Sequence, residues 1–248
     1  MINQILRRNF ERALCLRKNN NISSVNPLHS RSLSSENDVA QAVKDVYYHK
    51  NTIWAHARGG KGKNKETSKS PYKERVDELL MLIGHQIYTQ LNSNQYTRDA
   101  FDRFHSNLCD SFLVSINEIR NSARLANMSY GQAQKLINLS YKYLTCYSDY
   151  ERYADKFAQC HMVIDNIILQ SIGSNGITLL FGRVNCRVKK IKEGKYDGCS
   201  WTEMSKEKYQ SLVNDYRCLV DPLLNGLFSD VTYMEIEYNL WPAPGQIR

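Results

Sequence analysis

A helical spacing of apolar residues runs through the chain from Pro71 onward, and it constrains the fold more than any other feature. Apolar side chains recur three and four residues apart, so each segment places them on one face of a helix. Polar breaks separate the segments, and helices are expected at about 71–91, 97–125, 130–147, 150–172 and 206–224. The sequence therefore predicts an all-α fold, a single bundle-like helical domain.

Composition divides the chain into an N-terminal extension (1–70), the helical domain (71–241) and a short tail (242–248). The extension begins with a basic amphipathic helix, continues with a second helix at about 37–49 and ends in a basic, partly flexible loop of glycine, lysine and serine. A basic helix followed by a serine-rich, acid-poor segment is also typical of a mitochondrial presequence. We expect residues 1–36 to be an ordinary helix and loop in a cytoplasmic protein, with a mitochondrial location as the alternative.

The chain carries a formal net charge of +8, which favours a polyanionic partner such as nucleic acid. Lysine and arginine side chains neutralise phosphates without reading the bases, so binding without strong sequence specificity is the expectation. The alternative for each basic group is a solvated polar surface. The candidate phosphate contacts lie in the basic loop, on an outer face of helix 130–147 and in a second basic stretch: Arg58, Lys61, Lys63, Lys65, Lys135, Lys142, Arg187, Lys189, Lys190 and Lys192.

The stretch CHMVIDNIILQSIG places His161 and Asp165 four residues apart in an apolar run, one turn apart on the expected helix. With oxygens from Glu235 and Glu237 they could form a manganese, iron or zinc site. They could also be a catalytic base and its orienting carboxylate, or could bind a substrate. The structural alternative is a hydrogen-bonded pair inside the core, and this role is the one we expect.

Other chemical motifs are missing from the sequence. The GGKGK stretch lacks the first glycine and the hydroxyl residue of a phosphate-binding loop, so that function is excluded. The seven cysteines are scattered without a C-x-x-C pair, which favours a reducing compartment over a disulfide framework. No apolar run approaches the ~18 residues of a membrane span. The cofactor stays unknown, and segments 177–190 and 231–241 fit a helix or a strand equally well.

Four local patterns are SYGQAQKLINLSYKYL, CHMVIDNIIL, a tryptophan (Trp201) ahead of a K-x-x-Y helix, and the closing MEIEYNLW. Together they resemble an uncharacterised family of helical proteins from bacteria and mobile elements, over roughly residues 129–241. The resemblance implies a helical cytoplasmic protein and brings no activity with it.

The leading hypothesis for function is a basic helical binding protein that contacts nucleic acid, and an enzyme is the less favoured class. The alternatives are a protein-interaction or inhibitor module, linked to mobile elements through the resemblance, and a metal-dependent hydrolase that uses His161 and Asp165.

Overall fold

The computed structural model describes residues 30–48, 71–175, 177–179, 182–184, 187–225 and 231–240. Over these residues the chain is mainly helical, which confirms the all-α class. The α-helices are α1 (Glu36–Tyr48), α2 (Pro71–Leu91), α3 (Arg98–Ser122), α4 (Tyr130–Leu144), α5 (Ala154–Phe157), α6 (Asn166–Gln170), α7 (Lys206–Leu224) and α8 (Tyr233–Leu240). The expected amphipathic helix near the start, the basic loop and the tail lie outside the described residues.

Two short antiparallel hairpins interrupt the helical pattern. The first pairs β1 (Ile177–Leu179) with β2 (Gly182–Val184), and the second pairs β3 (Ile191–Lys192) with β4 (Lys195–Tyr196). Segment 177–190, which fitted a helix or a strand, therefore contains two strands, and segment 231–241 contains a helix, α8.

Helix α4 is the centre of the fold, and its side chains are buried almost all the way round. It contacts α1, α3, α7 and the 3-10 turn Trp201–Glu203. Gly131 allows the closest of these approaches, because a Cβ atom there would lie 1.7 Å from the carbonyl oxygen of Trp201. The predicted start of this helix is confirmed: Ser129 accepts from the backbone N–H of Gln132, whose side chain accepts from Ser129 N–H.

Helix α1 packs into the same core, although the sequence analysis assigned it to the N-terminal extension. It crosses α2 closely at a glycine, since a Cβ atom on Gly84 would lie 2.2 Å from Ala40 Cα. Its apolar face, including Val39, Val43 and Val46, is fully buried. Residues 36–48 are therefore a structural part of the bundle.

The prediction of one continuous helix over residues 150–172 is wrong. The chain forms a 3-10 turn at Tyr150–Tyr153 and the single-turn α5, then runs without helix to Asp165, and becomes helical again in α6. An apolar run fits a buried extended segment as well as a buried helix, so periodicity alone could not separate them. Asp149, just ahead of the 3-10 turn, accepts hydrogen bonds from the Ser32 hydroxyl and from the backbone N–H groups of Leu33 and Ser34.

Side chains from α4 and α8 replace the missing helical hydrogen bonds of this extended segment. Gln134 and Asn138 donate to the carbonyl oxygens of Ile164 and Met162, at 2.7 and 2.9 Å. Glu237 accepts from the backbone N–H of Val163 at 2.9 Å. Because these buried backbone groups are paired, the segment can cross the core at low cost.

Candidate functional site

His161 lies in the extended segment and is held between two helices. Its Nε2 atom lies 2.7 Å from Asp102 Oδ1 on α3, and its Nδ1 atom lies 2.9 Å from the Tyr209 hydroxyl on α7. An ionised carboxylate only accepts hydrogen bonds, so the neutral ring carries its proton on Nε2 and accepts the Tyr209 O–H at Nδ1. Asn138 in turn donates to the Tyr209 oxygen at 3.1 Å. The result is a directed chain of hydrogen bonds across the core.

Arg217 fixes the carboxylate end of this chain. Its two terminal nitrogens lie 2.5 Å from Asp102 Oδ2 and 2.8 Å from Asp102 Oδ1, a bidentate pair. Burial acts to raise the pKa of Asp102, but the hydrogen bonds from Arg217 and His161 outweigh it and hold that pKa well below its usual range. Asp102 is therefore ionised at neutral pH and orients the His161 imidazole.

A second histidine, His105, packs against the first. The two rings have centroids 4.5 Å apart, and the His105 ring is stacked on Tyr209 at 5.7 Å. Burial lowers the pKa of both imidazoles, with the neighbouring His161 lowering that of His105 further. Both histidines are therefore neutral near pH 7.

A polar cavity of about 260 Å³ opens beside these residues, and we call it the His161 cavity. Buried His105, His161 and Tyr209 line its floor, whereas Gln210 and Asn214 are exposed at its mouth. Its other lining residues are Asp102, Ser106, Tyr130, Val213 and Arg217. The size is close to the lower end of small-molecule pockets.

Asp165 belongs to a different part of the core, so the expectation that it shares a helical face with His161 is wrong. Its Oδ1 atom accepts from the N–H groups of Ile167 and Ile168, which makes it the N-cap of α6. Its Oδ2 atom lies 3.1 Å from the Lys135 ammonium, and both side chains are buried. Asp165 is therefore hydrogen-bonded and ion-paired inside the core, without contact to His161.

Lys135 and Lys142 do not lie on an outer face, and that prediction is wrong. The Lys135 ammonium, paired with Asp165, lies 4.5 Å from the centroid of the Trp201 ring. Lys142 and Glu237 form an ion pair at 2.6 Å, and the exposed fraction of both side chains is 0%. Burial raises the pKa of Glu237 and lowers that of Lys142. Both lysines thus already have carboxylate partners, as a buried charge requires.

The two C-terminal glutamates also have structural roles. Glu235 accepts from the backbone N–H of Thr232 at 2.9 Å, and Glu235 N–H donates back to the Thr232 hydroxyl. This is a capping box at the start of α8. Across the described residues, no group of three or more histidine, cysteine, aspartate or glutamate side chains is placed to hold a metal ion. The proposed metal site of His161, Asp165, Glu235 and Glu237 therefore finds no support in this geometry.

The second basic stretch forms a surface feature, which we call the basic hairpin (residues 187–196). Arg187, Lys189, Lys190 and Lys192 are exposed there, as is Lys195. The turn residues Glu193 and Gly194 have φ angles of 51° and 71°, the backbone of a tight two-residue turn.

One buried backbone hydrogen bond and two partly exposed side-chain contacts fix the basic hairpin to the body. Val188 N–H donates to the carbonyl oxygen of Ile172 at 3.0 Å. Asp215 on α7 binds both the Tyr196 hydroxyl, at 2.7 Å, and the Lys190 ammonium, at 3.0 Å. The cations therefore stand on a rigid support.

The positive charge of the chain is unevenly distributed. Residues 1–29 and 49–70 hold 11 lysines and arginines against 2 acids, whereas the rest of the chain holds 22 against 23. The net charge of +8 thus comes from residues outside the described part, and they include Arg58, Lys61, Lys63 and Lys65. The basic hairpin is a local excess on a nearly neutral body.

No protein-family model matches the chain, and neither a curated protein nor a solved structure matches it. The fold and the site therefore define this protein on their own, as a helical bundle with a polar cavity and a basic hairpin. None of the described helices is long and apolar enough to cross a membrane.

Sequence reasoning missed Asp102, His105, Tyr209 and Arg217. One clue was available, because His105 stands among Phe101, Leu108 and Phe112 on the apolar face of its predicted helix. A polar ring on such a face needs a partner from elsewhere, and Asp102 adjoins the same face. The partner itself could not be inferred, since Asp102 and His161 are 59 residues apart.

Proposed function

We propose that this protein is a basic binding protein that contacts nucleic-acid phosphates without strong sequence specificity. The observation that carries the proposal is the basic hairpin, where Arg187, Lys189, Lys190 and Lys192 are exposed together on a rigid support. Lysine and arginine groups held in this way neutralise backbone charge and release counterions. The basic N-terminal sequence, with Arg58, Lys61, Lys63 and Lys65, adds charge to the same partner class.

Lys135 and Lys142 are removed from the proposed contacts, because their ammonium groups are buried in ion pairs. The Lys190 ammonium is already paired with Asp215, so Arg187, Lys189 and Lys192 are the stronger phosphate ligands.

The free thiols of Cys109, Cys146 and Cys160 support a reducing compartment, and we propose the cytoplasm.

The test is the salt dependence of binding by the full chain. Affinity for generic duplex and single-stranded DNA and RNA is measured between about 50 and 300 mM salt, a range over which phosphate contacts weaken steeply. Replacing Arg187, Lys189 and Lys192 together by serine should reduce the slope of log affinity against log salt by about 2 to 3.

A control variant with the same charge change separates a specific surface from general attraction. Arg75, Arg103 and Arg152 are exposed on other parts of the body, and their replacement by serine should leave the slope nearly unchanged. Equal effects of the two triple variants would refute a role for the basic hairpin. No binding at the lowest salt would refute the proposed function and would favour the protein-interaction alternative.

A further inference from the structure

The lining of the His161 cavity has no net charge, and this restricts what it can bind. The positive charge of Arg217 is matched by Asp102, which it contacts through two hydrogen bonds. His105 and His161 are neutral near pH 7, since burial lowers the pKa of both. Burial likewise raises the pKa of Tyr209, which keeps its proton. A phosphate or carboxylate entering this cavity would lose its hydration without gaining a cation, so an uncharged ligand is favoured.

The polar groups of the lining suit a flat ring with hydrogen-bond donors and acceptors on its edge. Gln210 and Asn214 present amides at the mouth, and each amide offers both a donor and an acceptor. Such amides bind the edges of nucleobases in pairs of hydrogen bonds. Tyr130, Tyr209 and His105 also line the cavity, and since each is at most 5% exposed they close it rather than offer a free ring face.

The cavity mouth and the basic hairpin meet the same helix. Gln210 and Asn214 form one stripe of α7, and the hairpin contacts Ser211 and Asp215 are each one residue further on. The two stripes point about 100° apart around the helix axis, since successive residues of an α-helix are rotated by that angle. A strand whose phosphates lie on the basic hairpin would have to follow the surface of α7 around this angle to reach the cavity mouth.

We infer that the His161 cavity binds an uncharged heterocycle with a hydrogen-bonding edge, the chemistry of a nucleobase. The base comes either from a free nucleoside or from an unstacked position of a bound strand. The second source rests on the proposed nucleic-acid binding, and the first does not. Buried Tyr209 forms part of the floor, and His161 is a positioning residue that holds the Tyr209 hydroxyl through its Nδ1 atom.

The first experiment uses free nucleosides and the full chain. Adenosine, guanosine, cytidine and uridine are each added at millimolar concentration, and saturation transfer from protein to ligand is recorded by NMR. The expected result is stronger transfer to base protons than to ribose protons for at least one nucleoside, because the base enters the cavity.

Matched variants locate the binding. Replacing Gln210 and Asn214 together by leucine removes the amides at the mouth and should lower nucleoside affinity by roughly tenfold or more. Asn107→Leu makes the same chemical change at an exposed position of α3 that does not line the cavity, and it should leave the affinity unchanged. Circular dichroism confirms that both proteins are folded. Transfer to none of the nucleosides, or equal transfer in the double variant, would overturn the inference for free nucleosides.

A second arm tests the base of a bound strand and separates this inference from the proposed function. A single strand containing 2-aminopurine is bound by the protein, and its fluorescence should rise as the base leaves the stack. The Gln210/Asn214 variant should bind the strand with the wild-type salt slope but without this rise. Nucleoside binding without strand binding would refute the proposed function and support nucleobase binding in the His161 cavity. Strand binding with neither nucleoside transfer nor a fluorescence change would overturn the cavity inference alone.

Discussion

The buried ion pair between Lys142 and Glu237 allows a quantitative test of the core. Replacing Lys142 by methionine keeps most of the side-chain volume and removes only the charge. Glu237 then keeps its hydrogen bond from Val163 N–H but loses the ammonium at 2.6 Å, in a place where neither side chain is exposed. Breaking such a pair from one side costs about 3–5 kcal/mol of unfolding free energy. Domain stability is about 5–15 kcal/mol, so this cost is at least about a fifth of it.

Urea unfolding at 25 °C measures this cost. Lys206→Met is the matched control, because it breaks a pair with Asp110 at 2.5 Å whose side chains are 35% and 44% exposed. The control should cost less than about 1 kcal/mol, since water screens exposed pairs. A Lys142→Met cost as small as that of the control would refute our account of the buried pair.

The double variant Lys142→Met with Glu237→Gln sharpens the test. Glutamine still accepts from Val163 N–H and carries no charge, so the double variant should be more stable than Lys142→Met by about 2 kcal/mol. Lowering the pH should also stabilise the Lys142→Met variant, because protonation removes the charge of Glu237. Burial raises the pKa of Glu237, and loss of the Lys142 charge raises it further, so the folded state binds a proton more readily than the unfolded chain. The loss of unfolding free energy caused by Lys142→Met should therefore become smaller as the pH falls from 7 towards 5. Either of two results would contradict this account: a loss that does not change with pH, or a double variant whose loss equals the sum of the two single losses.

Two further predictions concern other parts of the core. Gly131→Ala should destabilise the fold by about 2 kcal/mol or more in thermal or urea unfolding, because the new Cβ atom would lie 1.7 Å from the Trp201 carbonyl oxygen and α4 would have to move. A neutral result would mean that this approach is looser than described. For His161, burial lowers the pKa, so the unfolded chain binds a proton more readily than the folded one and stability falls as the pH drops below about 6.5. NMR titration of the His161 ring should show its inflection below that value, and an inflection above it would contradict the buried neutral imidazole.

The long amphipathic helices could be predicted from the sequence, because the spacing of their apolar residues indicates both a helix and which of its faces is buried. The helix at 71–91 was predicted with the observed ends, and the helices at 130 and 206 were predicted with the observed starts. The prediction of a helix around His161 was wrong for a physical reason. An apolar run that is buried on all sides has no exposed face, so its pattern fits an extended chain as well as a helix.

The candidate sites depended on contacts that a linear pattern does not contain. Lys135 and Lys142 were placed outside because lysine is rarely buried without a partner, and the partner of Lys142 is 95 residues away. His161 and Asp165 were expected to be hydrogen-bonded to each other in the core, whereas both are hydrogen-bonded there to separate partners. The cavity emerges only when α3, α7 and the extended segment come together.

The position of Glu237 also matters for how the protein is made. Lys142 leaves the ribosome 95 residues before the carboxylate that neutralises it. At ordinary rates of synthesis this interval lasts about 5–20 s. During that time α4 can form as a helix, but burying it would isolate a charge in an apolar interior. The closing step of folding therefore waits for α8, and a nascent chain halted before α8 should expose α4 to chaperones and proteases.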